Sequence, residues 1–66
     1  MPLRVYVSDG EITVEHLLEG FAAVYYKPPD QPQLILRMRT ETDDYELLAR
    51  VWEAATDKAR ELGWIV

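Results

Sequence analysis

The chain has 66 residues, no cysteine, one histidine, twelve acidic and seven basic residues, and a formal net charge of −5. This composition excludes a disulfide and disfavours a polyanionic partner. A zinc site would have to use one histidine and carboxylates, which is an uncommon ligand set. The length predicts one compact α+β domain, residues 1–66, that buries only ~60% of the surface its unfolded chain exposes. The free energy of unfolding of a single chain is therefore expected to be small, and small domains commonly gain stability by self-association.

The sequence contains no apolar run of about 20 residues, and its first residues lack the apolar centre of a signal peptide. We therefore expect a cytoplasmic protein with no membrane contact. The chain also has no asparagine and only two glutamines, a scarcity that is typical of thermophilic proteins and equally of a GC-rich genome.

The first predicted element is a β-strand from Leu3 to Val7. Its apolar residues alternate with Arg4 and Tyr6, the period of two that indicates a strand with one buried face. A turn at residues 8–10 follows, because serine, aspartate and glycine are frequent turn residues.

Residues 11–19 fit two patterns. Apolar and polar residues alternate over 12–18, as in a strand, and apolar residues also recur at i, i+3, i+4 and i+7 over 14–21, as in a short helix. Thr13 can cap such a helix, and Gly20 can end it, because glycine adopts the left-handed conformation without strain. We favour the helix and keep the strand as the alternative.

Two further strands are predicted from Phe21 to Lys27 and from Gln33 to Thr40, both rich in the β-branched, aromatic and aliphatic residues that suit a pleated surface. The loop over 28–32 contains three prolines, which fix φ and remove backbone donors. The two strands are therefore expected to form a hairpin joined by a stiff loop.

From Asp43 to Leu62 the pattern predicts a helix of roughly 20 residues, capped by Thr42 or Asp43 and ended by Gly63. Apolar residues recur at alternating spacings of three and four, which indicates one buried stripe. The stripe consists of Tyr45, Leu48, Trp52, Ala55, Ala59 and Leu62. The apolar residues 64–66 are expected to return as a short final strand.

The resulting order, β-α-β-β-α(-β), resembles the split βαβ pattern of ferredoxin-like domains, in which both helices cover one face of a small antiparallel sheet. The alternative is a four-stranded meander covered by one long C-terminal helix, which follows if residues 11–19 form a strand. Both topologies leave one face of the sheet uncovered.

The sequence predicts neither catalysis nor a cofactor. Ser8 is the only serine and His16 the only histidine, so a nucleophilic pair has almost no candidates. The three glycines stand singly, which excludes a glycine-rich phosphate loop. The acidic residues of 43–46 have a sufficient role in capping the long helix and offsetting its dipole.

The three predicted strands together contain four basic residues and no acidic one. We expect one alternating set of side chains in the first and last of these strands to point towards the helices, which leaves the other set on an uncovered face. The inward set consists of Leu3, Val5, Val7, Leu34, Leu36 and Met38. This predicted interaction face consists of Arg4, Tyr6, Ile35, Arg37 and Arg39. One of Tyr25 and Tyr26 joins it, and the sequence does not distinguish between them.

We expect this basic, tyrosine-bearing face to mediate self-association, as a homodimer or larger assembly, because Tyr, Arg and Ile suit a subunit interface. One alternative is single-stranded nucleic acid, which arginines and stacking aromatics can bind. Another is an acidic, antitoxin-like regulator that covers a basic partner with its helix surface. Trp64 is a candidate contact residue, although a place in the core is the more ordinary role for it.

Overall fold

The computed structural model describes residues 3–66, which form a four-stranded antiparallel sheet and one helix. The strands are β1 (Leu3–Ser8), β2 (Glu11–His16), β3 (Phe21–Tyr26) and β4 (Ile35–Arg39), and the helix is α1 (Tyr45–Glu61). Each strand pairs with its sequence neighbour, in the order β1-β2-β3-β4. This is the meander alternative. The ferredoxin-like order is wrong, because residues 11–16 form β2 instead of a helix.

A two-residue turn at Asp9 and Gly10 determines that residues 11–16 form a strand. Both residues have positive φ, 52° and 75°, as in the type I′ turn, whose twist matches that of two paired strands. Ser8 lies directly opposite Glu11 across this turn. The chain therefore returns at once as β2, and no residues remain to connect β1 to a helix.

The burial of the side chains in β2 follows the alternation of a strand and not the spacing of a helix. Ile12, Val14 and His16 are buried, whereas Leu17 and Leu18 lie in the loop to β3 with 64% and 83% of their surfaces exposed. The His16 ring stabilises the turn after β2, because its Nδ1 accepts a hydrogen bond of 3.2 Å from the backbone N–H of Glu19. The four-residue loop ends at Gly20. This glycine has the predicted positive φ, but it lies in a hairpin loop and not at the end of a helix.

The hydrophobic core lies between α1 and one face of the sheet, with α1 packed mainly over β2 and β1. The helix buries Leu47, Val51, Ala55 and Ala59. Trp52, which the sequence placed in the centre of the stripe, is 44% exposed at the side of α1 facing β3. The buried stripe is therefore rotated from the predicted one, and the helix side of β4 is left partly open.

Asp44, and neither Thr42 nor Asp43, caps α1, since its side chain accepts a hydrogen bond of 3.0 Å from the N–H of Leu47. At the other end Gly63 has a φ of 78°. The N–H of Gly63 bonds to the Arg60 carbonyl and that of Trp64 to the Ala59 carbonyl, the two bonds of a Schellman motif.

The predicted final strand is wrong, because Trp64 completes this motif and residues 64–66 pair with none of the four strands described. Among residues 3–66, no helix has the length and apolar composition that crossing a membrane requires.

Candidate interaction surface

No element of residues 3–66 covers the face of the sheet opposite α1, and we call this face the outer sheet face. Register and alternation assign three side chains of each strand to it. It consists of Arg4, Tyr6, Ser8, Glu11, Thr13, Glu15, Ala22, Val24, Tyr26, Ile35, Arg37 and Met38. Of the five residues predicted to form the interaction face, the structure places four on this surface; Arg39 is the exception.

At the β1 edge of the outer sheet face, Arg4 and Tyr6 form a cluster with Glu15. The Arg4 guanidinium carbon lies 5.2 Å from the centre of the Tyr6 ring, a cation–π distance. The Tyr6 hydroxyl donates a hydrogen bond of 3.3 Å to Glu15 Oε2, and Glu15 is the direct cross-strand neighbour of Arg4. The positive charge of this arginine therefore has an adjacent carboxylate.

The β4 side of the face repeats the arrangement with Arg37, Tyr26 and Glu11. The Arg37 guanidinium carbon lies 5.1 Å from the centre of the Tyr26 ring, and its Nε forms an ion pair of 2.5 Å with Glu11 Oε2. The pair is partly exposed and adds little to stability, since solvent-exposed ion pairs contribute about 0–1 kcal/mol. Its main effect is to orient the two side chains along the surface.

These two clusters change the electrostatics inferred from the sequence. The carboxylates of Glu11 and Glu15 both come from β2, the strand interpreted as a helix, and they balance Arg4 and Arg37. The outer sheet face therefore carries no formal net charge. The remaining ten acidic and five basic residues account for the whole net charge of −5.

Arg39 lies on the helix side of the sheet because β4 contains a bulge. The register advances from Tyr25 opposite Leu36 to Val24 opposite Met38, which leaves Arg37 as the extra residue. Alternation is reset there, so Met38 faces outward and Arg39 lies opposite the buried Ala23. The predicted alternation through β4, with Met38 inward and Arg39 outward, is reversed from this point.

The two adjacent tyrosines of β3 divide between the faces. Tyr26 lies on the outer sheet face, and Tyr25 is buried on the other side, with its ring centre 5.5 Å from that of Trp52. Burial raises the pKa of the Tyr25 hydroxyl, and the nearby charge of Arg39 partly opposes this shift. This electrostatic effect agrees with the position of Arg39 beneath the sheet.

Trp64 lies away from the outer sheet face. It is partly buried against the core as the residue that follows the Gly63 cap, and it lines a groove between the chain end and the proline-rich loop. On α1, Asp57 and Arg60 form an i, i+3 ion pair, with 3.2 Å between Asp57 Oδ1 and Arg60 Nη1. Part of the acidic helix surface is therefore paired within the helix.

Sequence reasoning missed Glu11 and Glu15 as members of the surface, although a signal for them was present. An Asp-Gly pair flanked by alternating apolar residues is a strong hairpin signal, and Asp9 and Gly10 provide it. Searches found no family model, no curated protein and no solved structure that matches this chain.

Proposed function

We propose that this chain is a small, non-catalytic protein-interaction domain that self-associates through its outer sheet face. The observation that carries the proposal is an uncovered sheet face that is free of net charge on an otherwise acidic chain. A second copy is the partner that best fits this surface.

The side chains of the outer sheet face support a protein contact. Val24, Tyr26 and Ile35 are only partly exposed, Met38 is 64% exposed, and Tyr6 lies across the sheet from them. Tyrosine, methionine and arginine are enriched in the centres of protein interfaces, and lysine, aspartate and glutamate are depleted. The face contains all three enriched types and no lysine or aspartate, and its two glutamates are engaged by Arg37 and by the Tyr6 hydroxyl.

Its charges favour a second copy. Two chains of net charge −5 repel each other, and the repulsion is weakest where the neutral faces meet. Arginines lie on the outer strands and the two glutamates on β2, so a copy related by a two-fold axis can place arginine against glutamate. The same glutamates weaken the attraction for phosphate, which favours a protein over single-stranded nucleic acid as the partner.

Sedimentation equilibrium at micromolar concentration tests the proposal, with Met38→Glu as the disrupting variant. We expect the wild-type chain to form a dimer or larger species. Met38→Glu should weaken association by at least about tenfold, the effect of about 1.4 kcal/mol, because it places an unpaired charge in the contact.

Leu36→Glu is the matched control, because it adds the same charge two residues away on the other face of β4, where Leu36 is 42% exposed. Its effect on association should be small. A wild-type chain that stays monomeric, or equal effects of the two variants when both are folded by circular dichroism, would contradict the proposal.

A further inference from the structure

The free edge of β1 is a second feature that the proposed function does not use. β1 has one neighbour in the sheet, β2, and its register with β2 is uninterrupted from Leu3 to Ser8. An edge strand presents a row of unpaired backbone N–H and C=O groups, which another chain can pair with. Such pairing depends on which backbone groups of β1 are free and on whether the edge is protected.

The turn at Asp9 and Gly10 identifies the free groups. In a two-residue β-turn, the flanking residues Ser8 and Glu11 form a hydrogen-bonded pair. Because hydrogen-bonded and non-hydrogen-bonded pairs alternate along an antiparallel ladder, Arg4 and Tyr6 also bond to β2. The groups that point away from the sheet are those of Leu3, Val5 and Val7.

The two edges of the sheet differ in protection. β4 has a bulge at Arg37, two arginines and a preceding proline-rich loop, all of which hinder pairing with another strand. β1 has no bulge, no proline and a single charged residue, Arg4, which is already next to Glu15. Of the two edges, β1 is the one open to a further strand.

We infer that β1 pairs antiparallel with β1 of a second copy, around a two-fold axis through Val5. In this register Val5 faces Val5 of the second copy, and Leu3 faces its Val7, so all free groups meet and about six backbone hydrogen bonds form. Arg4 faces Tyr6 of the second copy, which repeats across the junction the cation–π contact already present within the chain.

The register is self-complementary on both faces of the sheet. Leu3, Val5 and Val7 carry side chains on the helix side, where they extend the apolar layer beside the core. The product is one continuous eight-stranded sheet that leaves the outer sheet faces free. The edge contact therefore shares Arg4 and Tyr6 with the outer sheet face and leaves its β3 and β4 residues, Met38 among them, to the contact proposed above.

Val7→Pro tests the edge contact. Proline is tolerated on an edge strand where the N–H points to solvent, so this change removes no bond to β2 but blocks a neighbouring strand. Val7→Ala is the matched control, because it shortens the same partly exposed side chain and keeps the N–H. We expect Val7→Pro to weaken the edge dimer at least about tenfold and Val7→Ala to retain it.

Amide hydrogen exchange of the wild-type chain gives an independent readout that does not depend on how the proline variant folds. The amides of Val5 and Val7 should be unprotected in dilute protein and protected at high concentration, whereas those of Arg4 and Tyr6 should be protected at both. Fast exchange at Val5 and Val7 in a sample that sedimentation shows to be oligomeric would overturn the edge contact. A chain that is monomeric throughout would also overturn it.

The measurements can contradict the outer-face contact and the edge contact separately. If Met38→Glu dissociates the oligomer while Val5 and Val7 exchange freely, the outer sheet face is the interface and the edge contact is wrong. If Val7→Pro dissociates it, Val7→Ala does not, and Met38→Glu has no effect, the edge is the interface and the outer-face proposal is wrong.

Discussion

We expect Ile12→Ala to lower the free energy of unfolding by about 2–4 kcal/mol, because truncating a buried isoleucine loses transfer free energy and leaves a cavity. Ile12 has no exposed surface and lies on β2 between Val7 and Tyr25, beneath α1. A chain of this length has a stability of roughly 3–10 kcal/mol, so the loss is a large fraction of the total. Urea unfolding followed by circular dichroism measures it.

Leu18→Ala is the control for this prediction. Leu18 lies in the loop between β2 and β3 and is 83% exposed, so its truncation should change stability by no more than about 0.5 kcal/mol. A helix over residues 11–19 would place Leu18 on the buried side. A cost for Leu18→Ala equal to or greater than that of Ile12→Ala would therefore contradict the strand assignment.

Ala55→Lys should unfold the chain or nearly so. Ala55 has no exposed surface and lies in the core where α1 meets the sheet. A lysine there must either bury an unpaired charge or push the helix off the sheet, and both cost more than about 4 kcal/mol. We expect the urea midpoint to fall by more than half, or the folded signal to be lost at 25 °C.

Ala49→Lys is the matched substitution on the same helix. Ala49 is exposed, and its neighbours at i−3 and i+4 are Glu46 and Glu53, so a lysine there can form favourable helix pairs. Its effect should lie within about 0.5 kcal/mol of zero. Similar losses for the two variants would mean that α1 does not pack on the sheet through Ala55.

Patterns confined to one element predicted most of the fold. The period of two in β1, the hairpin of β3 and β4 around the prolines, and the α1 cap at Gly63 all follow from local chemistry. Residues 11–19 satisfied two periods at once, and the turn at Asp9 and Gly10, not the spacing of apolar residues, selected between them.

The candidate surface depended on features that do not appear in a single strand. The bulge at Arg37 arises from how β4 pairs with β3, and no residue type in β4 indicates it, so Arg39 was assigned to the wrong face. The rotation of α1, which leaves Trp52 partly exposed, depends on where the helix crosses the sheet. Both are tertiary effects on positions whose local pattern is ambiguous.

The strand β2 also determines the charge of the outer sheet face. Three strands without acidic residues predicted a basic face, and a fourth strand through the middle of the sheet supplies Glu11 and Glu15 to it. A basic face favours phosphate, whereas a balanced face with tyrosines favours protein. The contact proposed for this chain therefore relies on apolar and aromatic residues, with the charged clusters fixing orientation.

The most direct test of the outer-face contact is an isotope-filtered nuclear Overhauser experiment on a mixture of labelled and unlabelled chains. We expect intermolecular signals from the Met38 methyl group and from the Tyr26 ring, both of which lie on the outer sheet face and away from the β1 edge. Intermolecular signals from Leu36 and Trp52 on the helix side, or from the β1 edge, without any from Met38 and Tyr26 at millimolar concentration would contradict the outer-face contact.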